Sequence, residues 1–261
     1  DRNIYFDLPS GVALLGGFAG TETQAAQRNH QLYLTILSGD IGIQGDSTDN
    51  AYTILYMENP DSSTVLDGFI LEYGNANNAE APVAPDDPAK CGGALYMMGR
   101  DGIAYANVQY CVFRHNRALE DGGAVYINGA GLGSVAPYFY ACSFYNNHSK
   151  SNGGALCKAG SSWTERTPDL EKCDFDANTA GKSGGAVYIL DGEQTDRMDT
   201  YYCIFTNNKA LVNGGGQCYD LNRSTGTRIK MYGNTYRANA AYGGDHYGMI
   251  NLKFNFYQYM L

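Results

Sequence analysis

The chain has 261 residues, 44% of them hydrophobic, and carries 18 Lys+Arg against 27 Asp+Glu, a formal charge of −9. That apolar share supports a sizeable core and excludes a disordered chain, while the acidic balance excludes unassisted binding to nucleic acid or to an anionic membrane. With 33 glycines and 22 tyrosines but one tryptophan, the composition points to short strands and tight turns, away from helical bundles. No apolar run is long enough for a membrane span, so direct insertion is not expected. The chain opens on Asp1 with no signal-like segment and reads as a mature or excised piece.

In chain order, residues 1–74 hold strand-like stretches at Leu14-Leu15-Gly16-Gly17-Phe18, Thr35-Ile36-Leu37, Tyr52-Thr53-Ile54-Leu55 and Val65-Leu66-Asp67-Gly68-Phe69-Ile70-Leu71. Residues 75–90, with three prolines, read as a protruding loop. Residues 91–248 then repeat with a regular beat. Glycine doublets fall at Gly92, Gly122, Gly153, Gly184, Gly214 and Gly243, at intervals of 30, 31, 31, 30 and 29. A second motif keeps the same phase: Cys111, Phe113, Asn116; Cys142, Phe144, Asn147; Cys173, Phe175, Asn178; Cys203, Phe205, Asn208; and, drifting, Asn234, Tyr236, Asn239. Residues 249–261 alternate Ile250, Leu252, Phe254 and Phe256 with polar residues, the pattern of a closing strand or cap. All of this fits one domain, 1–261.

A period near thirty is shared by helical repeats, but these need amphipathic 3.6-residue faces, which the Gly-Gly-Ala-Val-Tyr-Ile and Cys-x-Phe segments lack. Their alternation is that of strands. Parallel coils of about 30 residues, each pairing its backbone with the coil above and below, satisfy the pattern as an all-β solenoid. Coils stack roughly 4.8 Å apart, so residues of equal phase form columns. The column of Phe113, Phe144, Phe175 and Phe205 should fill the interior. The column of Asn116, Asn147, Asn178 and Asn208 should lock a turn, amide on amide. For the column of Cys111, Cys142, Cys173 and Cys203 the spacing allows disulfides, but in-register strands aim their Cβ vectors side by side, which favours buried thiols.

Repeated Phe-x-x-Asn followed by Gly-Gly-Ala-aliphatic, as in Phe144, Asn147, Gly153-Gly154-Ala155-Leu156, resembles the repeat of chlamydial polymorphic membrane proteins and related bacterial surface proteins. The resemblance runs from residue 91 to about 248 and weakens at Gly214-Gly215-Gly216-Gln217 and Gly243-Gly244-Asp245-His246. The Gly-Gly-Phe turn and Leu-Asp-Gly-Phe strand of the first 74 residues are similar to opening coils of secreted β-helix proteins from Bacteroidetes-like bacteria. The resemblance implies a right-handed, single-stranded parallel β-helix, secreted or held at an outer cell surface.

Such folds carry lyases, hydrolases, adhesins and spacers alike, so function has to come from a site. If the aliphatic positions after each doublet point inward, Tyr96, Tyr126 and Tyr188 form an outward stripe on which sugar rings can stack; the alternative puts alanine and tyrosine inside. Trp163, alone in a polar loop, is a second ligand-binding candidate. Asp169 and Asp199 hold the same phase and should neighbour each other near Lys230, a weak catalytic pair or metal site. Asp46 and Asp49, with Asp40, hint at calcium without a full ligand set; no other cofactor is signalled. The repeats show no basic cluster in sequence, which disfavours a lyase for acidic polysaccharides. The reading that follows is a largely non-catalytic adhesin or structural module that binds glycan or another surface ligand through its flank loops. The alternative is a polysaccharide lyase or glycoside hydrolase, and the open ends invite self-association.

Overall fold

Each coil is cut into short strands by residues held in the left-handed region. A computed structural model describes residues 1–80, 87–100, 103–129, 133–159, 168–190, 197–220, 228–242 and 250–253. It is an all-β parallel solenoid of about five turns with ~31 residues per coil. The helical element among the described residues is one 3-10 turn, Ala25–Gln27.

Four parallel sheets run the length of the solenoid. Sheet I stacks Phe6–Asp7, Leu55–Glu58, Leu95–Gly99, Val125–Gly129, Leu156–Ala159, Val187–Leu190, Gln217–Asp220 and Ile250–Lys253. Sheet II stacks Ala13–Leu15, Val65–Asp67, Asn107–Gln109, Tyr138–Tyr140, Asp169–Glu171, Arg197–Tyr201 and Arg228–Tyr232. Sheet III runs from Thr35–Ser38 through Phe69–Glu72, Val112–Arg114, Ser143–Tyr145, Asp174–Asp176 and Ile204–Thr206 to Thr235–Arg237. Sheet IV joins the two-residue strands Asn75–Ala76, Arg117–Ala118, His148–Ser149, Thr179–Ala180, Lys209–Ala210 and Ala240–Ala241. The protruding segment thus leaves the coil after Ala76, because Asn75 and Ala76 pair with Arg117 and Ala118. In the closing segment, Ile250–Lys253 pairs with Gln217–Asp220 and continues sheet I.

The corner between sheets II and III is a single left-handed residue per coil: Gly68, Tyr110, Ala141, Lys172, Tyr202 or Gly233. A second left-handed column, Tyr73, His115, Asn146, Ala177, Asn207 and Ala238, turns sheet III into sheet IV. Non-glycine residues pay for this conformation, and the buried asparagine that follows each of His115, Asn146, Ala177 and Asn207 holds the bend. Asn147 Nδ2 donates to the Phe113 carbonyl (2.9 Å) and to Asn178 Oδ1 (3.0 Å), while its own Oδ1 accepts the Asn116 amide (3.0 Å). The same set recurs at Asn116, Asn178 and Asn208. The glycine doublet makes the return to sheet I. Its first member has φ near +64° at Gly153, and a Cβ on Gly154 would lie 2.1 Å from the Gly185 carbonyl oxygen, so the coils close only on glycine.

Inside, the rings of Phe113, Phe144, Phe175, Phe205 and Tyr236 stack at 4.7 to 4.9 Å and within 6° of parallel. All seven cysteines are buried, and none is paired in a disulfide. Cys142 Sγ lies 3.4 Å from the Val108 carbonyl of the preceding coil, and Cys111, Cys173 and Cys203 repeat the contact. Burial pushes the Cys142 thiol well up, the opposite of what a nucleophile needs. Lys158 takes the interior place held by Ile127 and Ile189 and directs Nζ toward the Leu190 carbonyl at 3.5 Å.

The tyrosines of sheet I correct an expectation. Leu95, Val125, Leu156 and Val187 do point into the core, and Tyr96, Tyr126 and Tyr188 do face away from it. They are nevertheless buried, in a second apolar cluster with Tyr56, Cys91, Met98, Cys157 and Cys218. The outer side of sheet I is covered, so these three rings form no open stripe for a sugar.

Candidate functional site

The exposed aromatic surface lies one sheet further on. In five successive sheet II strands Leu66, Val108, Phe139, Leu170 and Thr200 are buried in the coil, and the residues on either side of each turn to the outer face. Register places Asp67, Gln109, Tyr140, Glu171, Tyr201 and Tyr232 in one outward column. The left-handed corner beside it adds Tyr110, Lys172 and Tyr202. Tyr202 and Tyr232 are 52% and 63% exposed and meet edge to face at 5.4 Å. Tyr110 stands edge to face with Tyr140 at 5.6 Å and stacks on His30 at 4.8 Å.

Acids and bases are threaded between these rings. Tyr138 donates its hydroxyl to Glu171 Oε2 at 2.6 Å, and this bond holds the Glu171 carboxyl below the usual range. Burial, then the hydrogen bond to Glu171, pushes the Tyr138 phenol up. Lys172 Nζ donates to the Tyr140 hydroxyl at 3.0 Å, sits over that ring, and pairs with Glu171 at 3.3 Å. At the N-terminal end Arg28 pairs with Asp67, and Gln109 Nε2 donates to Asp67 Oδ2 at 2.8 Å. The result is a ribbon of phenol faces and hydroxyls edged by fixed charges. Such a surface stacks on the apolar face of a pyranose and hydrogen-bonds its rim.

Asp169 and Asp199 lie on this sheet. Pairing of Leu170 with Thr200 puts them on successive coils, and Asp199 lies in register with Lys230. Asp199 is only 1% exposed and accepts the Tyr201 hydroxyl at 2.9 Å. A general acid or nucleophile has to touch its substrate, and a carboxylate buried to this degree is placed to hold its neighbours.

Trp163 lies outside the described residues. In the loop after sheet III, Asp46 Oδ1 accepts from the Thr48 amide and hydroxyl, Asp49 Oδ2 from the Ile43 amide, and the Asp40 carboxylate from the Gly45 amide. These acids close their own loop, and among the described residues no group of three His, Cys, Asp or Glu side chains is placed to hold a metal. His115 and His148 do not meet: His115 stacks on Tyr73, whereas His148 pairs in register with Arg117 and contacts Thr179 Oγ1 at 2.7 Å.

Sequence reasoning passed over Tyr110, Tyr140, Glu171, Lys172, Tyr202 and Tyr232. The signal was there, in the two residues before each cysteine: Gln109-Tyr110, Tyr140-Ala141, Glu171-Lys172 and Tyr201-Tyr202.

The model of the Chlamydia polymorphic membrane protein (Chlamydia_PMP) repeat fits residues 141–158, which run from the sheet II–III corner through Phe144, Asn147 and the glycine doublet into sheet I. The segment is similar to that repeat over less than one coil. No curated protein and no solved structure matches the chain.

Proposed function

We propose that the chain is a surface-associated β-helix that binds carbohydrate through the outer face of sheet II without turning it over. The cell-surface part rests on the resemblance to a polymorphic membrane protein repeat. The carbohydrate part rests on one observation: the exposed rings of Tyr110, Tyr202 and Tyr232 and the half-buried ring of Tyr140 line one face, with Glu171 and Lys172 set among them. Adhesion would follow from display of that face along a rigid rod.

A glycan array tests the reading, followed by titration of the best ligand. Tyr140→Ala and Tyr232→Ala are each expected to weaken binding about tenfold, equivalent to roughly 1.4 kcal/mol. Binding by the array's glycans that ignores both substitutions would overturn the assignment. So would turnover of any of them that disappears in Asp169→Asn, which would move the chain to the hydrolase or lyase reading.

A further inference from the structure

The sequence shows no basic cluster, yet the fold builds one. Sheet IV stacks Arg117, His148, Thr179 and Lys209 in a single outward column. The turn that follows adds Lys150, whose amide bonds the Ala118 carbonyl, and Lys182, whose amide bonds the Ser151 carbonyl. Arg117, Lys150, Lys182 and Lys209 are all exposed. With coils roughly 4.8 Å apart, the column from Arg117 to Lys209 spans only about 14 Å, so neighbouring charges fall within about one Debye length at physiological salt. His148, half-buried between them, is held below its usual range by burial and by the charges of Arg117 and Lys150.

Several cations elsewhere on the molecule are neutralised. Arg28, Arg100, Arg114 and Lys172 each pair with a carboxylate. None of the four strip cations is in an ion pair with a described residue. The nearest acids by register are half-buried Glu120, one coil before Ser151, and Asp121, which accepts the Asn152 amide and side chain. Four like charges in a row with no carboxylate partner among the described residues repel one another, and an anionic partner relieves that repulsion.

At its N-terminal end the strip opens into a cleft of about 560 Å³, lined by Arg117, Asn146, Asp40 and the stacked pair Tyr73 and His115. Its volume is in the range that holds a small ligand. The strip is narrow, one basic column and the turn beside it, which suits a single extended chain better than the two phosphate rows of a duplex. A 1→4-linked pyranose chain advances by close to one coil spacing per sugar, so acidic sugars along it can meet successive cations.

We infer that the sheet IV edge is a binding site for an anionic polysaccharide, with the terminal sugars seated in the Tyr73–His115 cleft. This site is separate from the aromatic face of sheet II and does not depend on it. The test measures binding of the full chain to immobilised heparin and polygalacturonate, which separate sulfate from carboxylate recognition, with neutral dextran and duplex DNA alongside. Wild type should bind at least one of the two polyanions, more weakly as salt rises. K150E/K182E/K209E should lose more than about tenfold in affinity, and K150Q/K182Q/K209Q less. R100Q, which removes a cation from another part of the surface, should bind as wild type. Circular dichroism of each variant checks that the fold is kept, as substitutions at exposed positions allow. Equal binding by wild type and the charge-reversed variant, no binding of wild type to either polyanion at low salt, or tighter binding to duplex DNA would overturn the inference. The site on sheet II is read independently, since it concerns array glycans and the Tyr140 and Tyr232 variants.

Discussion

Replacing Asn147 by alanine tests what holds the solenoid's bend. The side chain is 1% exposed and makes four hydrogen bonds: it donates to the Phe113 carbonyl and Asn178 Oδ1, and accepts from the Asn116 amide and Asn116 Nδ2. Two of these partners keep a second bond, because Asn116 Nδ2 still reaches the Leu71 carbonyl and Asn178 Oδ1 still accepts the Asn147 amide. The Asn116 amide loses its asparagine partner, whereas the Phe113 carbonyl stays in the sheet III ladder. At about 1–3 kcal/mol for a buried group left unpaired, plus the void of the missing amide, the cost is roughly 2–4 kcal/mol. Asn239→Ala is the control. It removes the same kind of bonds, to the Phe205 carbonyl and from Asn208, but at a half-buried position where water can replace them, and it should cost about 1–2 kcal/mol. Urea unfolding gives the difference. Because solenoids need not unfold in one step, amide exchange at Asn116 supplies a local reading: it should accelerate in Asn147→Ala and stay slow in Asn239→Ala. Equal stabilities for the two variants, or an Asn116 amide that stays protected without Asn147, would refute the reasoning.

Two other perturbations follow from the same geometry. Gly154→Ala should lower the thermal midpoint sharply, costing more than about 3 kcal/mol because its Cβ meets backbone atoms of the next coil on two sides. Gly45→Ala, at φ +83° but with no atom within 4 Å of the new Cβ, should cost only about 1–2 kcal/mol; similar midpoints for both would show that packing between coils is not what selects glycine. Alkaline titration probes sheet I. Burial and Glu58 push the Tyr56 phenol up to about 12, so the folded chain keeps a proton that the unfolded chain loses near pH 10. The stability this gives is present below about pH 10 and is lost as pH rises toward 12. Tyrosinate absorbance should therefore show a late component that coincides with loss of circular dichroism, and a single transition near pH 10 in an intact fold would contradict it.

The sequence by itself determined the thirty-residue beat, and with it the stacking of Phe113 on Phe144 and of Asn116 on Asn147. The reason is physical: in-register parallel coils put equal phases over one another, so identity down a column is written directly in the spacing. Whether the Leu95 and Val125 parity or the alanine and tyrosine parity lies inside was left open by the spacing, and the fold puts Leu95 and Val125 inside. What the sequence did not carry was anything that depends on the far side of a sheet. Tyr96 and Tyr126 alternate as outward residues should, but only the folded chain shows that they are buried, in a second apolar cluster on the outer side of sheet I. The left-handed corners at Tyr110, Ala141 and Lys172 were equally silent, since none of these residue types asks for that conformation and the coil's hydrogen bonds impose it. The basic edge is the clearest case. Arg117, Lys150, Lys182 and Lys209 are spread across some ninety residues of sequence and come together only because four successive coils bring them within about two Debye lengths of one another. Periodicity states which residues share a column; the turns and the outer packing decide which columns face water and which charges become neighbours.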